Sequence, residues 1–220
     1  MMDFWGPFLQ SLLQGWVVTL AMLAFAIPIS LVLGVSLAVA RVYGNKFFSV
    51  LATGFVGLFR GLPLIVTLLI IFFALPRVGL YFPPFWAAVI GFIFCSGAYQ
   101  SEYVRGAIRS IDVGQSLAAR SLGMSRFKEL IHIILPQAIR RAFPGVTNEI
   151  IYLILYSSLA YVVGVSEVFG VAKHYNSLYF RSTEIFSTAA LIYLFMATIA
   201  SMSFRKMENK LRIPGLEVTR

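Results

Sequence analysis

The stretch Trp16–Val39 reads WVVTLAMLAFAIPISLVLGVSLAV and contains no Asp, Glu, Lys or Arg. A helix needs about 20 mainly apolar residues to cross the hydrocarbon core of a bilayer, and this run is long enough to do so. It is too long for the apolar region of a cleaved signal peptide, and residues 1–15 lack the Lys or Arg that normally precede such a region. The run therefore predicts a membrane-spanning helix.

Four more apolar segments follow along the chain. We expect them to span the membrane at about Phe47–Leu75, Phe85–Tyr103, Ala142–Val163 and Ile185–Phe204. Hydrophobic residues make up 59% of the 220 residues, charged residues only 12%, and the mean hydropathy is +0.84. A soluble domain of this size could not bury so much apolar surface. No segment alternates as barrel strands do, so the sequence predicts an all-α membrane protein with about five transmembrane helices.

The basic residues predict how these helices are oriented. The formal net charge is +9, which in a soluble protein would suggest a nucleic-acid partner. Here 14 of the 18 Lys and Arg residues lie after the first span, after the third span and in the C-terminal tail, against three in the alternate loops. Positive residues accumulate on the cytoplasmic side of membranes. We therefore expect the N-terminus outside, the C-terminus and segment 104–141 in the cytoplasm, and no nucleic acid.

Segment 104–141 is the most informative region of the chain. It reads as two short helices that meet at Gly123, because Gly suits the position just after a helix C-terminus and Ser125 can cap the next helix. The small residues Ala118 and Ala119 would give the first of these helices a face that packs closely against another surface.

This segment resembles the EAA loop of ATP-binding-cassette (ABC) importer permeases. That pattern has Glu-Ala-Ala, then a Gly, an Ile ten residues after the Gly, and Leu-Pro. Leu117 stands where the pattern has Glu. The matching residues are Ala118, Ala119, Gly123, Ile133, Leu135 and Pro136.

The flanking sequence resembles one branch of that family, the permeases for polar amino acids. The resemblance extends from about residue 12 to residue 208, and Leu155-Tyr156 stand where the branch commonly has Lys-Asp. The matching motifs are Phe59–Leu64 (FRGLPL), Tyr99–Arg105 (YQSEYVR), Ile111–Gln115, Leu135–Ala138, Ser157–Leu159 and Gly164–Val168.

The resemblance implies a single permease domain over residues 1–220 that transports amino acids across a prokaryotic cell membrane. It implies a second permease subunit, identical or homologous, two cytoplasmic ATPase subunits and an extracytoplasmic substrate-binding protein. ATP and Mg would be bound by the ATPase subunits, because the chain has no Gly-x-x-x-x-Gly-Lys-Ser/Thr motif and no cofactor site of its own. A stand-alone channel or a membrane-embedded enzyme is the alternative. The residues expected to couple to the ATPase are Ala118, Ala119, Gly123, Met124 and Ser125.

Glu149 is the first candidate for the substrate path. It follows Arg141 by eight residues, which places it about 12 Å deeper along a helix. A carboxylate at that depth usually faces a cavity or a partner charge, so Glu149 is either a substrate ligand or part of an ion pair with another helix. Tyr152, Tyr156 and Ser157 share its neighbourhood and either line the path or pack within the bundle.

A second set of candidates lies where the second span is interrupted. Arg60 and Pro63 flank a break that either borders the substrate path or is a structural kink. Tyr99, from the matching motif on the third span, is assigned to the same path. Glu102 and Arg105 have the spacing of a salt bridge on one helix face.

The remaining polar residues predict neither catalysis nor metal binding. His132 and His174 have no Cys or carboxylate at ligand spacing, and no Ser–His–acid arrangement is present. Cys95 is the only cysteine, which excludes an internal disulfide, and it is expected to pack in the core. The aromatic residues of Val165–Glu184 predict an outer segment that packs at the membrane interface and adds a docking surface for the binding protein.

Overall fold

The computed structural model describes residues 4–211, and every regular element in that range is helical. The prediction of an all-α fold is therefore confirmed. Short π-helical and 3-10 turns join some of the helices. Two cations of the basic C-terminal tail, Arg212 and Arg220, lie outside the described residues. The α-helices are α1 (Trp5–Tyr43), α2 (Lys46–Gly61), α3 (Leu64–Leu69), α4 (Pro84–Arg109), α5 (Val113–Ser121), α6 (Arg126–Glu129), α7 (Leu135–Tyr156), α8 (Val168–Tyr179) and α9 (Ser182–Leu211).

Within the described residues, three helical stretches are individually long and apolar enough to cross a membrane. They are Trp5–Tyr43, Arg126–Val163 and Ser182–Lys210, and a fourth crossing forms if α2 and the helices after it count as one broken span. Helix α4 covers the third predicted span but is not among these three. Its buried polar residues, such as Gln100 and Ser101, lower its mean hydropathy. The number of five spans and their orientation stay predictions.

The second predicted span is broken sharply. Lys46–Gly61 and Leu64–Val78 meet at an angle of 107°. Pro63 has no backbone N–H and restricts the residue before it, and Leu62 accordingly adopts an extended conformation with φ −92° and ψ 136°. The prediction of an interrupted segment is therefore confirmed, although the sequence does not predict the size of the bend.

Helices α1 and α4 approach each other closely through glycines. A Cβ atom added at Gly34 of α1 would lie 2.8 Å from the Gln100 Cβ, and one added at Gly97 of α4 would lie 2.9 Å from a Leu33 methyl. At Gly34 the neighbours include backbone atoms of α4 that cannot move aside, so glycine is required there, whereas at Gly97 only the Leu33 side chain would have to shift. The contact makes α4 the central helix of the fold, with most of its residues buried.

The segment after α4 forms two short helices that meet at Gly123, which confirms the sequence prediction. Gly123 has φ +77°, in the left-handed region that favours glycine. The N–H groups of Gly123 and Met124 donate to carbonyls of α5 at 2.9 and 3.1 Å, which closes the end of that helix. Ser125 Oγ accepts a hydrogen bond from the Lys128 N–H at 3.4 Å and caps α6.

Helix α6 continues directly into α7. The continuous helical stretch Arg126–Val163 passes through a π-turn at Leu130–Ile134 and ends in a 3-10 turn at Ser157–Val163. Pro136 closely follows the π-turn and has no N–H to donate to the preceding turn, so the regular helical hydrogen-bond pattern is interrupted here. We call Val113–Glu129, which contains the two short helices α5 and α6, the short-helix segment. One helical stretch therefore runs from this segment into the centre of the bundle.

Candidate functional site

A cavity of about 460 Å³ lies between the break after α2, helix α4 and helix α7. The broken span contributes Pro63 and its neighbours, α4 contributes Tyr99, and α7 contributes Glu149. The structure thus brings together residues that are far apart in the chain. The lining residues are Phe59, Leu62, Pro63, Leu64, Ile65, Cys95, Ser96, Tyr99, Tyr103, Glu149, Tyr152, Leu153, Tyr156 and Leu159.

Glu149 is the acidic residue of this cavity. It is only 7% exposed, and Ser96 of α4 lines the same cavity. No Lys, Arg or His among residues 4–211 forms an ion pair with it. The alternative in which Glu149 pairs with a cation of another helix therefore finds no partner in the described part of the chain. A buried carboxylate without a counter-charge is suited to receive a cationic group from a ligand.

Two tyrosines extend the wall formed by Glu149 along α7. The rings of Tyr152 and Tyr156 are stacked, with centroids 6.0 Å apart and an interplanar angle of 16°. Both line the cavity and are nearly half exposed. Ser157 lies elsewhere: it is fully buried, and its hydroxyl donates to the Ile154 carbonyl at 2.7 Å. The structure therefore groups the two tyrosines with Glu149 but places Ser157 behind the wall.

Arg60 lies beside the cavity rather than in its lining. Its guanidinium carbon is 5.3 Å from the centroid of the Tyr99 ring, a cation–π distance. The Tyr99 hydroxyl in turn donates to the Arg60 carbonyl at 3.4 Å. Pro63 lines the cavity directly. Pro63 and Tyr99 thus line the cavity, and Arg60 lies beside it at the end marked by Tyr99.

An arginine cluster surrounds Glu102 at that end. Arg105 Nη2 is 2.5 Å from Glu102 Oε2, which confirms the predicted helix-surface pair. Arg41 of α1 and Arg60 of α2 add Nη1 contacts to Glu102 Oε1 at 2.6 and 3.4 Å. Sequence reasoning missed these two partners, because no local spacing connects them to residue 102. Three guanidinium groups around one carboxylate leave an excess of positive charge beside Tyr99.

The predicted coupling residues lie on the short-helix segment. Ala119 is buried, whereas Ala118 is exposed. Gly123, Met124 and Ser125 form the turn between α5 and α6. Exposed apolar side chains surround this turn: Leu117 is 61% exposed, Leu122 84% and Phe127 70%. The segment therefore presents an apolar surface around a turn of fixed backbone geometry.

Glu129 holds the two short helices together and was missed by sequence reasoning. Its side chain is almost fully buried, the Ser116 hydroxyl donates to Oε1, and Arg120 Nε donates to Oε2 at 3.0 Å. Ser116 and Arg120 both belong to α5, and Glu129 is the last residue of α6. The link spans the turn at Gly123, and helix periodicity does not predict a contact across a turn.

Glu167 is a second buried carboxylate that the sequence did not reveal as such. It accepts hydrogen bonds from the N–H groups of Phe169 and Gly170 at 2.8 and 2.7 Å, and from the Tyr193 hydroxyl of α9. It therefore caps α8 and ties that helix to α9. Helix α8 also packs against α1, since the Tyr175 ring lies 5.2 Å from that of Phe8. The placement of Val165–Glu184 at the outer membrane interface stays a prediction.

Residues 4–211 contain no group of three or more His, Cys, Asp or Glu side chains placed to hold a metal ion. Glu149 brings a negative charge to one wall of the cavity, and the arginine cluster brings positive charge to the end marked by Tyr99. Such an arrangement can bind a small molecule that carries both a positive and a negative group.

Comparisons with known proteins agree with this geometry. The family model described as "Binding-protein-dependent transport system inner membrane component" matches residues 30–213. The chain is 34% identical over 209 residues to the glutamine transport system permease protein GlnP of Escherichia coli K12, covering 94% of this chain and 95% of that protein. It is 32% identical over 207 residues to the arginine transport system permease protein ArtQ of Bacillus subtilis, covering 94% of each.

The fold is also that of solved transporter structures. A chain of an amino acid ABC transporter with histidines superimposes with a TM-score of 0.85 and 30% identity, covering 96% of this chain and 99% of the other. A chain of the inward-facing MetNI methionine ABC transporter gives a TM-score of 0.81 at 20% identity, covering 94% and 99%, and shows the fold alone. The chain therefore belongs to the family of binding-protein-dependent transport system inner membrane components.

Proposed function

We propose that this chain is the transmembrane subunit of an ATP-driven ABC importer for amino acids. The observation that carries the proposal is the pairing of charges around the cavity. Glu149 is buried in one wall with no ion-pair partner among residues 4–211, and the arginine cluster lies at the end marked by Tyr99. Free amino acids carry an ammonium group and a carboxylate and match that pairing. The relatives named for glutamine and arginine transport support the substrate class.

In this proposal Glu149 receives the ammonium group or a cationic side chain. Tyr152 and Tyr156 offer ring faces to the same cation, since aromatic rings attract cations through their faces. Arg60, above the Tyr99 ring, lies where it attracts the carboxylate. Pro63 prevents α2 and α3 from joining into one continuous helix at this point. Ser157 lies behind the wall and contributes packing.

The proposed partners follow the family. Two ATPase subunits dock on the short-helix segments of two permease subunits, which are identical or homologous, and bind the ATP and Mg that this chain does not. An extracytoplasmic binding protein delivers the amino acid. The complex is a multi-pass component of a prokaryotic cell membrane, embedded in lipid.

The continuous helix Arg126–Val163 supports a direct mechanical route for coupling. Ser125 and Glu129 lie at its cytoplasmic start, and Glu149 lies further along the same helix. Closure of the ATPase dimer would displace the start of this helix and thereby move Glu149 relative to α4. Alternating access then follows if the amino acid and the binding protein contact the two states with different free energies.

The test is uptake of labelled amino acids into vesicles that contain the complex purified through a tag on this chain. We expect ATPase subunits of separate sequence to co-purify, and uptake to require both ATP inside and binding protein outside. Conductance or uptake without ATP would support the channel alternative instead. Chemical conversion of a substrate by this chain alone would support the membrane-embedded enzyme.

A further inference from the structure

A second cavity, separate from the first, runs along helix α9. Its volume is about 560 Å³, and no residue lines both cavities. Apart from Ile151 of α7, its lining belongs to α9. It is therefore a groove on the side of the bundle where α9 meets α7.

The groove changes its chemistry along the helix axis. Ala197 and Thr198 lie at one end, Ser201 and Met202 in the middle, and Arg205, Lys206 and Asn209 at the other. At 1.5 Å per residue the distance from residue 197 to residue 209 is about 18 Å, close to the depth of one bilayer leaflet. A floor of small, hydroxyl-bearing and apolar side chains without charge thus ends in two cations and an amide.

The two cations of the groove have no protein partner among residues 4–211. Neither Arg205 nor Lys206 forms an ion pair in that part of the chain, although Glu208 follows on the same helix. Both side chains are exposed. Their charge is available to an anion from outside the chain.

Helix α9 is also the least buried of the three individually apolar spans. Only 17% of its most apolar window is buried, against 33% for α1 and 50% for Arg126–Val163. A helix with this exposure contacts lipid unless another chain covers it. A groove with cations at the end that the charge distribution predicts to be cytoplasmic is the kind of surface that binds anionic lipid headgroups.

We propose that this groove binds one anionic phospholipid of the cytoplasmic leaflet. The headgroup phosphate accepts hydrogen bonds from Arg205, Lys206 and Asn209, and an acyl chain lies along Met202 and Ile151. The lipid contacts α9 and α7 together and so joins the last helix to the helix that carries Glu149. The site does not depend on which molecule the first cavity transports.

Native mass spectrometry of the detergent-purified complex tests the site directly. The complex is titrated with phosphatidylglycerol and with phosphatidylcholine of the same acyl chains, for the parental chain and for Arg205→Gln/Lys206→Gln. We expect the parental complex to bind phosphatidylglycerol at least about tenfold more tightly than phosphatidylcholine, and the double variant to lose this preference. Lys210→Gln is the matched control, because it removes a cation of the same helix that does not line the groove, and it should retain the preference.

Three results would overturn the proposal. The first is an unchanged preference in the double variant. The second is displacement of the bound lipid by millimolar inorganic phosphate, which would make the groove a site for small anions. The third is loss of the second permease subunit from the double variant without loss of lipid, which would make the groove a subunit interface. Equal elution volumes and melting temperatures for the parental chain, the double variant and Lys210→Gln would exclude misfolding as the cause of a lost lipid preference.

Discussion

At the scale of single residues, Glu149 is the charge on which the proposed substrate site depends. Replacement by Gln keeps the size and a hydrogen-bonding group beside Ser96 but removes the negative charge. We expect Glu149→Gln to slow uptake of cationic or zwitterionic amino acids about tenfold or more, equivalent to about 1.4 kcal/mol. Uptake and ATP hydrolysis are measured together in vesicles with saturating binding protein.

The control for Glu149 is Glu184→Gln. Glu184 is an exposed carboxylate in the first turn of α9, so its loss should leave uptake unchanged. The ATPase subunits should remain bound in both variants. Parental uptake of every amino acid by Glu149→Gln would show that this carboxylate has only a structural role.

Gly123 supports a second prediction at the residue scale. Its left-handed backbone disfavours any residue with a Cβ by roughly 1–2 kcal/mol, although the space around it within the chain is open. We expect Gly123→Asp to insert into the membrane but to lose the ATPase or to hydrolyse ATP without uptake, because the turn is the proposed docking point. Pull-down of the ATPase and the ratio of uptake to hydrolysis measure this.

Gly79 provides the matched control for Gly123. It has φ +87°, also has open space around its Cβ position, and lies outside the short-helix segment. Gly79→Asp therefore carries a similar backbone penalty and should keep coupling. Equal losses of coupling in the two variants would mean that backbone strain alone, and not the docking point, explains the effect.

At the scale of elements, the link between Glu129 and α5 should determine how rigidly the turn transmits movement. The carboxylate is buried, whereas Arg120 is half exposed, so we expect a few-fold effect rather than loss of folding. Glu129→Gln and Arg120→Gln should each lower uptake per ATP hydrolysed by about two- to fivefold. Both rates are measured in the same vesicles.

A double-mutant cycle separates this ion pair from unrelated effects. If the two side chains act through their contact, Glu129→Gln/Arg120→Gln should be no worse than the worse single variant. Losses that multiply in the double variant would show that each residue acts independently, for instance by touching the ATPase itself.

The elements also show what the sequence can predict. The turn at Gly123 and the cap at Ser125 were predictable, because both depend on residues within one helical turn. The break at Pro63 was predictable in position, but its angle of 107° was not, because the approach of Leu68 on α3 to Gly91 on α4 joins residues that no local spacing connects. The contacts of Glu102 with Arg41 and of Glu129 with Ser116 were not predictable, since 61 and 13 residues separate the partners in the chain.

At the scale of the whole molecule, the charge distribution predicts which ends of the helices face the cytoplasm. A cysteine at Thr183 should react from outside intact cells, and one at Ser121 only after the membrane is opened, because the charge distribution places these residues on opposite sides. Both positions are exposed. The native Cys95 is buried and is replaced by Ser in the background chain.

A cysteine at Ser11 would react less readily from the outer side than one at Thr183. Ser11 is half buried, and its hydroxyl lies 2.9 Å from that of Tyr175. The opposite labelling pattern, with Ser121 accessible first, would reverse the orientation. It would also place the short-helix segment outside, where it could not meet a cytoplasmic ATPase.

The arginine cluster around Glu102 is assembled from residues that are synthesised at different times. Arg41 and Arg60 leave the ribosome before Glu102, because both precede it in the chain. Until α4 is synthesised, these two guanidinium groups lack the carboxylate that they contact at 2.6 and 3.4 Å. Two guanidinium groups held at their final positions without that carboxylate would repel each other. We therefore expect the first two helices to reach their final arrangement only after α4 supplies Glu102.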